Sequence, residues 1–442
     1  LAPEPTGRCD ARVWLVAVVA GELGWLALRG QLVGVWAWVP VGGVLVGHAR
    51  LVARERRSPS LSSPAVLMAT VRVAAGAVAI APSGSRDLYQ YAFYGRMAHH
   101  FGADPYATPP DAFRGDPLYA AIAPGWHAAR SVYGPVFTWS SSWGAIWFGA
   151  SALRARLWFQ GIAAISMVAS TRLVLRRGGT VAAMSVGLSP VVVAAVNGGH
   201  NDVVVGALVL VGVSCALDGR SVASAAVLAV AACTKASALP MVLAVAVVAW
   251  RRGARRELTH ATLTWLGVSV ALYALGGGTH LLGPLGAVGG RTSRASPWAL
   301  LERAAGSTAV GAAVVSVSAL LAGGLVVVAV WRWCRHGLVA ATVTAGAVAC
   351  FAAPYVLAWY PASVVPVGGL RPSSRASRLL SVGSSALLAA YVVPAGQPPA
   401  SVPLAPLAAV ACGLVLSVLV LVLVGHRCPP RIGVRLATRS RR

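Results

Sequence analysis

Four of the chain's twelve carboxylates, Asp87, Asp104, Asp111 and Asp116, fall between residues 86 and 135. The same stretch gathers tyrosines, histidines and prolines, while the sequence around it is dominated by Ala, Val and Leu. Asp104-Pro105 and Asp116-Pro117 read as turn or helix-start chemistry, in which a carboxylate oxygen accepts from free backbone N–H groups. Asp111 reads as solvated loop. Asp87 differs from all three. It follows an apolar run by a few residues and is followed by Tyr89, Tyr91, Phe93 and Tyr94. On a helix, Tyr91 stands one turn past Asp87. Interfacial aromatics also suit a headgroup belt. A lone aspartate beside them, next to Arg86, is what a site for a lipid-linked polar substrate needs.

Other residues able to do chemistry are scattered. His200-Asn201-Asp202 follows Gly198-Gly199 and precedes an apolar run, so its polar groups read either as a helix cap or as substrate contacts. Lys235 lies between two apolar runs, where a cation either serves a site or snorkels to the interface. Arg291 and Arg294 occupy a loop and suit either phosphate contact or plain surface charge. Trp359-Tyr360 ends a late apolar run and suits a membrane belt or a sugar-stacking platform. Glu22 sits inside the first apolar run with no partner evident in the sequence. His99 and His100 are adjacent, a spacing that rarely converges on one metal ion.

The elements that must position these residues are membrane helices. Hydrophobic residues make up 57% of the chain and charged residues 11%, with a mean hydropathy of +0.71. Soluble domains carry roughly a quarter charged residues. At about 20 residues per crossing, the length predicts an all-α polytopic membrane protein of about 11–13 transmembrane helices. The chain reads as one domain over 1–442, with a large first external loop at 83–135 carrying short amphipathic helices and a basic cytoplasmic tail at 427–442. Apolar runs predict helices near 13–29, 32–53, 62–82, 136–152, 157–173, 180–196, 202–217, 221–234, 238–250, 259–276, 308–331, 338–357, 378–393 and 405–425. The first reads as a retained helix rather than a cleaved signal. No internal repeat is evident.

The net charge of +25 comes from arginines at the ends of apolar runs, as cytoplasmic loops require, and not from a nucleic-acid surface. Placing Arg54, Arg56 and Arg57 inside puts Asp87 outside, one crossing later. Three crossings between 136 and 196 would then put Arg172, Arg176 and Arg177 outside, and His200 inside. One of those three segments is therefore expected not to cross. Seven scattered cysteines, including Cys9 and Cys428, form neither a metal motif nor a disulfide framework.

Asp87-Leu-Tyr-Gln-Tyr, Gly95-Arg96, Asp104-Pro105-Tyr106, Asp116-Pro117, Trp126 and Tyr133-Gly134-Pro135 resemble the first external loop of actinobacterial GT-C glycosyltransferases. The similarity is to the polyprenol-phosphate-mannose-dependent α-1,6-mannosyltransferases that elongate lipomannan. Asn197-Gly-Gly-His200-Asn201-Asp202 and Tyr355-Val-Leu-Ala-Trp359-Tyr360 fit the same pattern, with Ala358 where proline is expected.

The resemblance implies an inverting transfer of mannose from a polyprenyl-phosphate sugar donor to a lipid-anchored glycan acceptor. It implies a site on the external face of the plasma membrane, among membrane lipids. Asp87 is then the catalytic base that takes the acceptor hydroxyl proton. Arg96, His200, Lys235, Arg291 and Arg294 are candidates for the phosphate. Tyr91, Tyr133, Asp202, Trp359 and Tyr360 complete the expected substrate contacts. A divalent cation held by Asp87 and Asp202 is a further option, since some GT-C enzymes use one. Arabinofuranose is an alternative sugar, and a transporter or flippase for a lipid-linked solute is the alternative from another class.

Overall fold

The computed structural model describes residues 11–82, 84–276, 292–305, 308–392 and 404–423. Arg291, Cys9, Cys428 and the 427–442 tail lie outside the described residues. Helices account for nearly all regular structure there, and five are long and apolar enough to span a bilayer unaided. Others, including Ser63–Ala79, Asp202–Leu217, Ser221–Thr234 and Leu338–Ala352, are apolar but short. The chain is thus an all-α polytopic membrane protein; Asp202–Leu217 and Ser221–Thr234 have the predicted bounds, while Ser63–Ala79 and Leu338–Ala352 are shorter than predicted.

Helices α1 (Ala11–Leu28), α2 (Trp38–Arg57) and α3 (Ser63–Ala79) pack together, α3 starting behind a Ser62 cap and a proline. Helices α4 (Asp87–His100) and α5 (Pro135–Phe148) lie side by side, joined by a loop of 3-10 turns. Helix α6 (Ala152–Gly187) then runs antiparallel to α3. Gln160 near its start donates to the carbonyls of Ala77 and Ile80 at the end of α3, both at 3.4 Å, and Thr171, farther along, is level with Thr70 in the middle of α3, both lying against Gly187.

That direction settles the crossing problem. Ala152, about 12 Å before Gln160 on the helix, lies beyond the end of α3 on the Asp87 side. Helix α5 therefore begins and ends on that side and does not cross. Its Trp143, Ile146 and Trp147 are exposed, which is why it reads as a crossing from composition. Helix α6 breaks at Gly179, where φ is +75° and ψ −167°, a conformation suited to glycine. The chain reverses there and returns through 180–187 and α7 (Pro190–Asn197), so the predicted 180–196 helix is two pieces divided before Pro190. Asn197 donates to Ala77 and Ile80 at 3.0 and 2.9 Å, covering carbonyls that α3 leaves open.

With α5 withdrawn, ten helices follow Asn197 among the described residues, of which the two short ones, α12 and α15, do not cross. The ten are α8 (Asp202–Leu217), α9 (Ser221–Thr234), α10 (Leu239–Arg251), α11 (Arg255–Leu275), α12 (Pro297–Ala305), α13 (Thr308–Trp333), α14 (Leu338–Ala352), α15 (Val365–Gly369), α16 (Arg375–Ala390) and α17 (Leu404–Leu423). One end of the bundle collects the basic clusters. Arg177 pairs with Asp218, Arg56 donates to the Pro372 carbonyl, Thr180 donates to Glu55, and Arg251 lies 4.2 Å over the Trp331 ring. The other end carries Asp87, His200, Lys235, Arg294 and Trp359. Helix α14 stops at Ala352 rather than reaching 357, because Ala353 turns extended before Pro354. Inside the bundle Glu22 is fully buried, and neither carboxyl oxygen meets a hydrogen-bond partner.

Candidate functional site

Four chain segments meet at the end of the bundle opposite the arginines. The first is the start of α4. Arg86 is not helical, and the Asp87 N–H is held by Ser85 Oγ at 3.1 Å, which starts the helix with the carboxylate in its first turn. The Asp87 side chain is 16% exposed and its Oδ2 lies 3.8 Å from His200 Nδ1. That separation is too long for a hydrogen bond.

The second segment is the turn between α7 and α8. Gly199 has φ +62°, and a Cβ there would come within 3.1 Å of Phe159 and 3.3 Å of Leu88, so only glycine lets this turn press against α4. Asn201 makes no side-chain cap to α8, which leaves its amide oxygen for Lys235 at 3.4 Å.

The third segment is the extended residue Lys235 between α9 and α10. Its ammonium donates to both oxygens of Asp202, at 2.9 and 2.8 Å, and lies 4.5 Å over the Tyr360 ring. The fourth segment carries Trp359, which stacks on the His200 ring with centroids 3.8 Å apart and planes 11° from parallel. One face of Trp359 is thus covered by His200, and Tyr391 lies 6.5 Å from the indole. Trp359 faces the site rather than the surrounding lipid.

Arg294 reaches the same neighbourhood from the segment before α12. Ser293 ties that segment down through Ser293 Oγ to Val356 O at 2.7 Å, and Trp298 Nε1 donates to Ala352 O at 2.7 Å. The guanidinium of Arg294 then lies 4.6 Å over Tyr391.

The structure therefore brings together Asp87, His200, Asp202, Lys235, Arg294, Trp359 and Tyr360. Tyr133 borders them, placed by Gly134, whose N–H donates to Thr234 O at 3.1 Å and whose missing Cβ would strike the Cys233 carbonyl at 2.0 Å. Tyr91 is 1% exposed and packs edge-on against Tyr133, Phe137 and Phe159 at 4.9–5.6 Å. It supports the aromatic wall under α4 instead of facing the opening.

Arg96 stands apart from this group. It lies nine residues along α4 from Asp87, about 14 Å. There it forms a buried ion pair with Asp116, Nε to Oδ2 at 2.9 Å, and Asp116 Oδ1 also takes the Leu118 N–H at 2.9 Å. Asp104 likewise holds the Tyr106 N–H at 2.8 Å. Both acids shape the loop. Arg96→Ala is expected to leave Asp116 buried without its cation and to destabilise the protein by about 3–5 kcal/mol. Thermal unfolding in detergent reads this. Unchanged stability with a raised substrate KM would instead mark Arg96 as a substrate contact.

One residue escaped the sequence reading. Arg29, just past α1, lines a small cavity with Ser85, Asn197, His200 and Trp359, its guanidinium packed where a side chain on Gly84 would be. Among the described residues no carboxylate pairs with it. Burial, with the charge of Arg294, pulls its pKa down to about 10. The only signal in the sequence is an arginine directly after the first apolar run, which looks like an ordinary helix-end charge.

The electrostatics divide the two groups facing each other. Burial, only partly offset by the Ser85 hydrogen bond and Lys235, raises the Asp87 carboxyl to about 6. Burial and then the charges of Lys235 and Arg29 push His200 well below the usual imidazole range, so it is neutral. An aspartate of that pKa is ionised at neutral pH yet basic enough to accept a proton. A reaction that needs Asp87 ionised should lose kcat/KM as pH falls through about 6, which a pH–rate profile checks.

A divalent ion does not fit the Asp87 and Asp202 pair. Both Asp202 oxygens are taken by the Lys235 ammonium, and Asp87 faces a histidine. Among the described residues no three His, Cys, Asp or Glu side chains group as ligands.

A family model described as alpha-(1->6)-mannopyranosyltransferase, N-terminal domain, matches residues 10–252. That span is more than half of the chain and includes Arg29, Asp87, His200, Asp202 and Lys235. No curated protein and no solved structure matches the chain.

Proposed function

The chain belongs to the alpha-(1->6)-mannopyranosyltransferase family, and from that premise we propose that it is a GT-C enzyme using a polyprenyl-phosphate-mannose donor. The acceptor is a lipid-anchored glycan, and the site faces the external side of the plasma membrane. The observation that carries this reading is the pairing of one ionisable carboxylate, Asp87, with a cationic rim formed by Arg29, Arg294 and Lys235 at one end of a membrane bundle.

The chemistry follows from that arrangement. The acceptor oxygen attacks C1 of mannose while the bond from C1 to the phosphate oxygen breaks. The bonding pair leaves with the phosphate, and Asp87 takes the hydroxyl proton. Negative charge grows on the departing polyprenyl phosphate, and guanidinium groups already held nearby lower its energy. A single displacement needs one base only, in contrast to the two-carboxylate site of a retaining enzyme. Neutral His200, stacked on Trp359, forms the wall between Asp87 and the arginines.

The orientation rests on charge. Arginine clusters at the opposite end are those expected in the cytoplasm, which leaves the Asp87 end outside. The test is a choice of donor. Purified protein in liposomes should transfer mannose from polyprenyl-phosphate-mannose and should give no product with a nucleotide-linked mannose. Efficient use of the nucleotide sugar would overturn the donor assignment.

A further inference from the structure

We propose that the groove between α1 and α2 holds the hydrocarbon chain of the prenyl-phosphate donor, with its phosphate at Arg29. This inference rests on the donor reading above and adds where the lipid lies. The groove has a volume of about 430 Å³ and is walled by apolar residues, among them Trp14 and Trp25 of α1 and Val44 of α2. Trp14 to Leu28 spans about 21 Å of helix, most of the hydrocarbon thickness of a bilayer.

The glycines of the groove separate two explanations. Glycine in a helix interior is unfavourable by roughly 1 kcal/mol against alanine, so a run of them needs a cause. Close helix packing is the usual one in membranes. It accounts for Gly21 and Gly47, where an added Cβ would lie 3.7 and 3.6 Å from the valines of the facing helix. It does not account for Gly24 and Gly43, where an added Cβ meets nothing within 4 Å. Those two positions keep space open, not helices close.

The groove also leads somewhere. Trp25, Leu28 and Pro40 at its upper end line a second cleft that includes Arg29. Arg29 in turn lines the cavity of Ser85, His200 and Trp359. An apolar channel at bilayer depth thus reaches the catalytic end of the protein through one guanidinium. The molecule that matches this sequence of surfaces is an amphiphile with a long apolar chain and an anionic phosphate. A guanidinium is well suited to phosphate, since its planar N–H donors match two phosphate oxygens.

The experiment uses the full chain in liposomes with two donors, a long-chain polyprenyl-phosphate-mannose and one bearing a single short prenyl unit. Gly24→Leu and Gly43→Leu add bulk to the groove from positions where a Cβ meets no protein atom within 4 Å. Each is expected to raise the ratio of long-chain to short-chain KM about tenfold. Arg29→Gln should raise KM for both donors. An unchanged ratio in both leucine variants, with wild type active on both donors, overturns the groove alone and would leave it as space filled by ordinary bilayer lipid. A wild type that uses neither donor overturns the donor reading and the groove together.

Discussion

Asp87→Asn is expected to lower kcat/KM for mannose transfer by about 10²–10⁴-fold while making the protein more stable at neutral pH. Both effects come from one cause. Burial holds the Asp87 carboxyl near 6 in the folded protein, against an ordinary 3.8. A carboxyl raised in this way favours the folded state fully below the unfolded value, and that advantage is lost as pH rises through the folded one. Between about pH 4 and 6 the wild type should therefore lose roughly 3 kcal/mol, by the usual value of a two-unit shift. Asparagine keeps the shape and removes the charge. Unfolding of the variant should lack that pH dependence, and its midpoint at pH 7 should exceed that of wild type. Loss of activity in a better-folded protein is what a site held at a cost in stability produces. An Asp87→Asn protein that transfers mannose at the wild-type rate would remove Asp87 from the chemistry.

The second large effect concerns Lys235. Its ammonium is the cation on Asp202, a fully buried carboxylate, so Lys235→Met leaves that charge alone inside the protein. The expected loss is about 3–5 kcal/mol of stability, together with loss of transfer. Stability alone does not tell a structural from a chemical role. Lys235→Met combined with Asp202→Asn removes the stranded charge, and most of the stability should return. Transfer should not return, because the ammonium beside the Tyr360 ring is also part of the cationic rim. Recovery of both in the double variant would make the pair purely structural.

Much of this site is legible in the sequence because polar residues in an apolar chain stand out. Asp87, His200, Asp202, Lys235, Trp359 and Tyr360 are each conspicuous, and the structure places them together. Their pairing is not legible. Lys235 and Asp202 lie at the ends of two helices that run down and back, so their contact depends on both helices having matching lengths. The roles within the loop are equally hidden, since Arg96 next to Gly95 looks as available as any cation until Asp116 is found against it.

The fold shows the same division. Helix positions follow from apolar runs, and the inconsistency in the charges around 136–196 correctly pointed to a segment that does not cross. Which segment fails to cross is invisible, because α5 has the composition of a span and differs only in where its neighbours put it. The turn at Gly179 was readable in principle from Arg176-Arg177-Gly178-Gly179, a charge cluster followed by a glycine pair. Arg29 was not, because nothing local separates an arginine that lines a cavity from one that merely ends a helix.

The configuration of the product at C1 is the most direct measurement of how this site works. Donor of known anomeric configuration is turned over in liposomes, and NMR of the new linkage reads the outcome. One base, with Asp202 already held by Lys235 and so unable to serve as a nucleophile, requires inversion. Retention would demand a second reactive carboxylate and would contradict a single displacement assisted by Asp87.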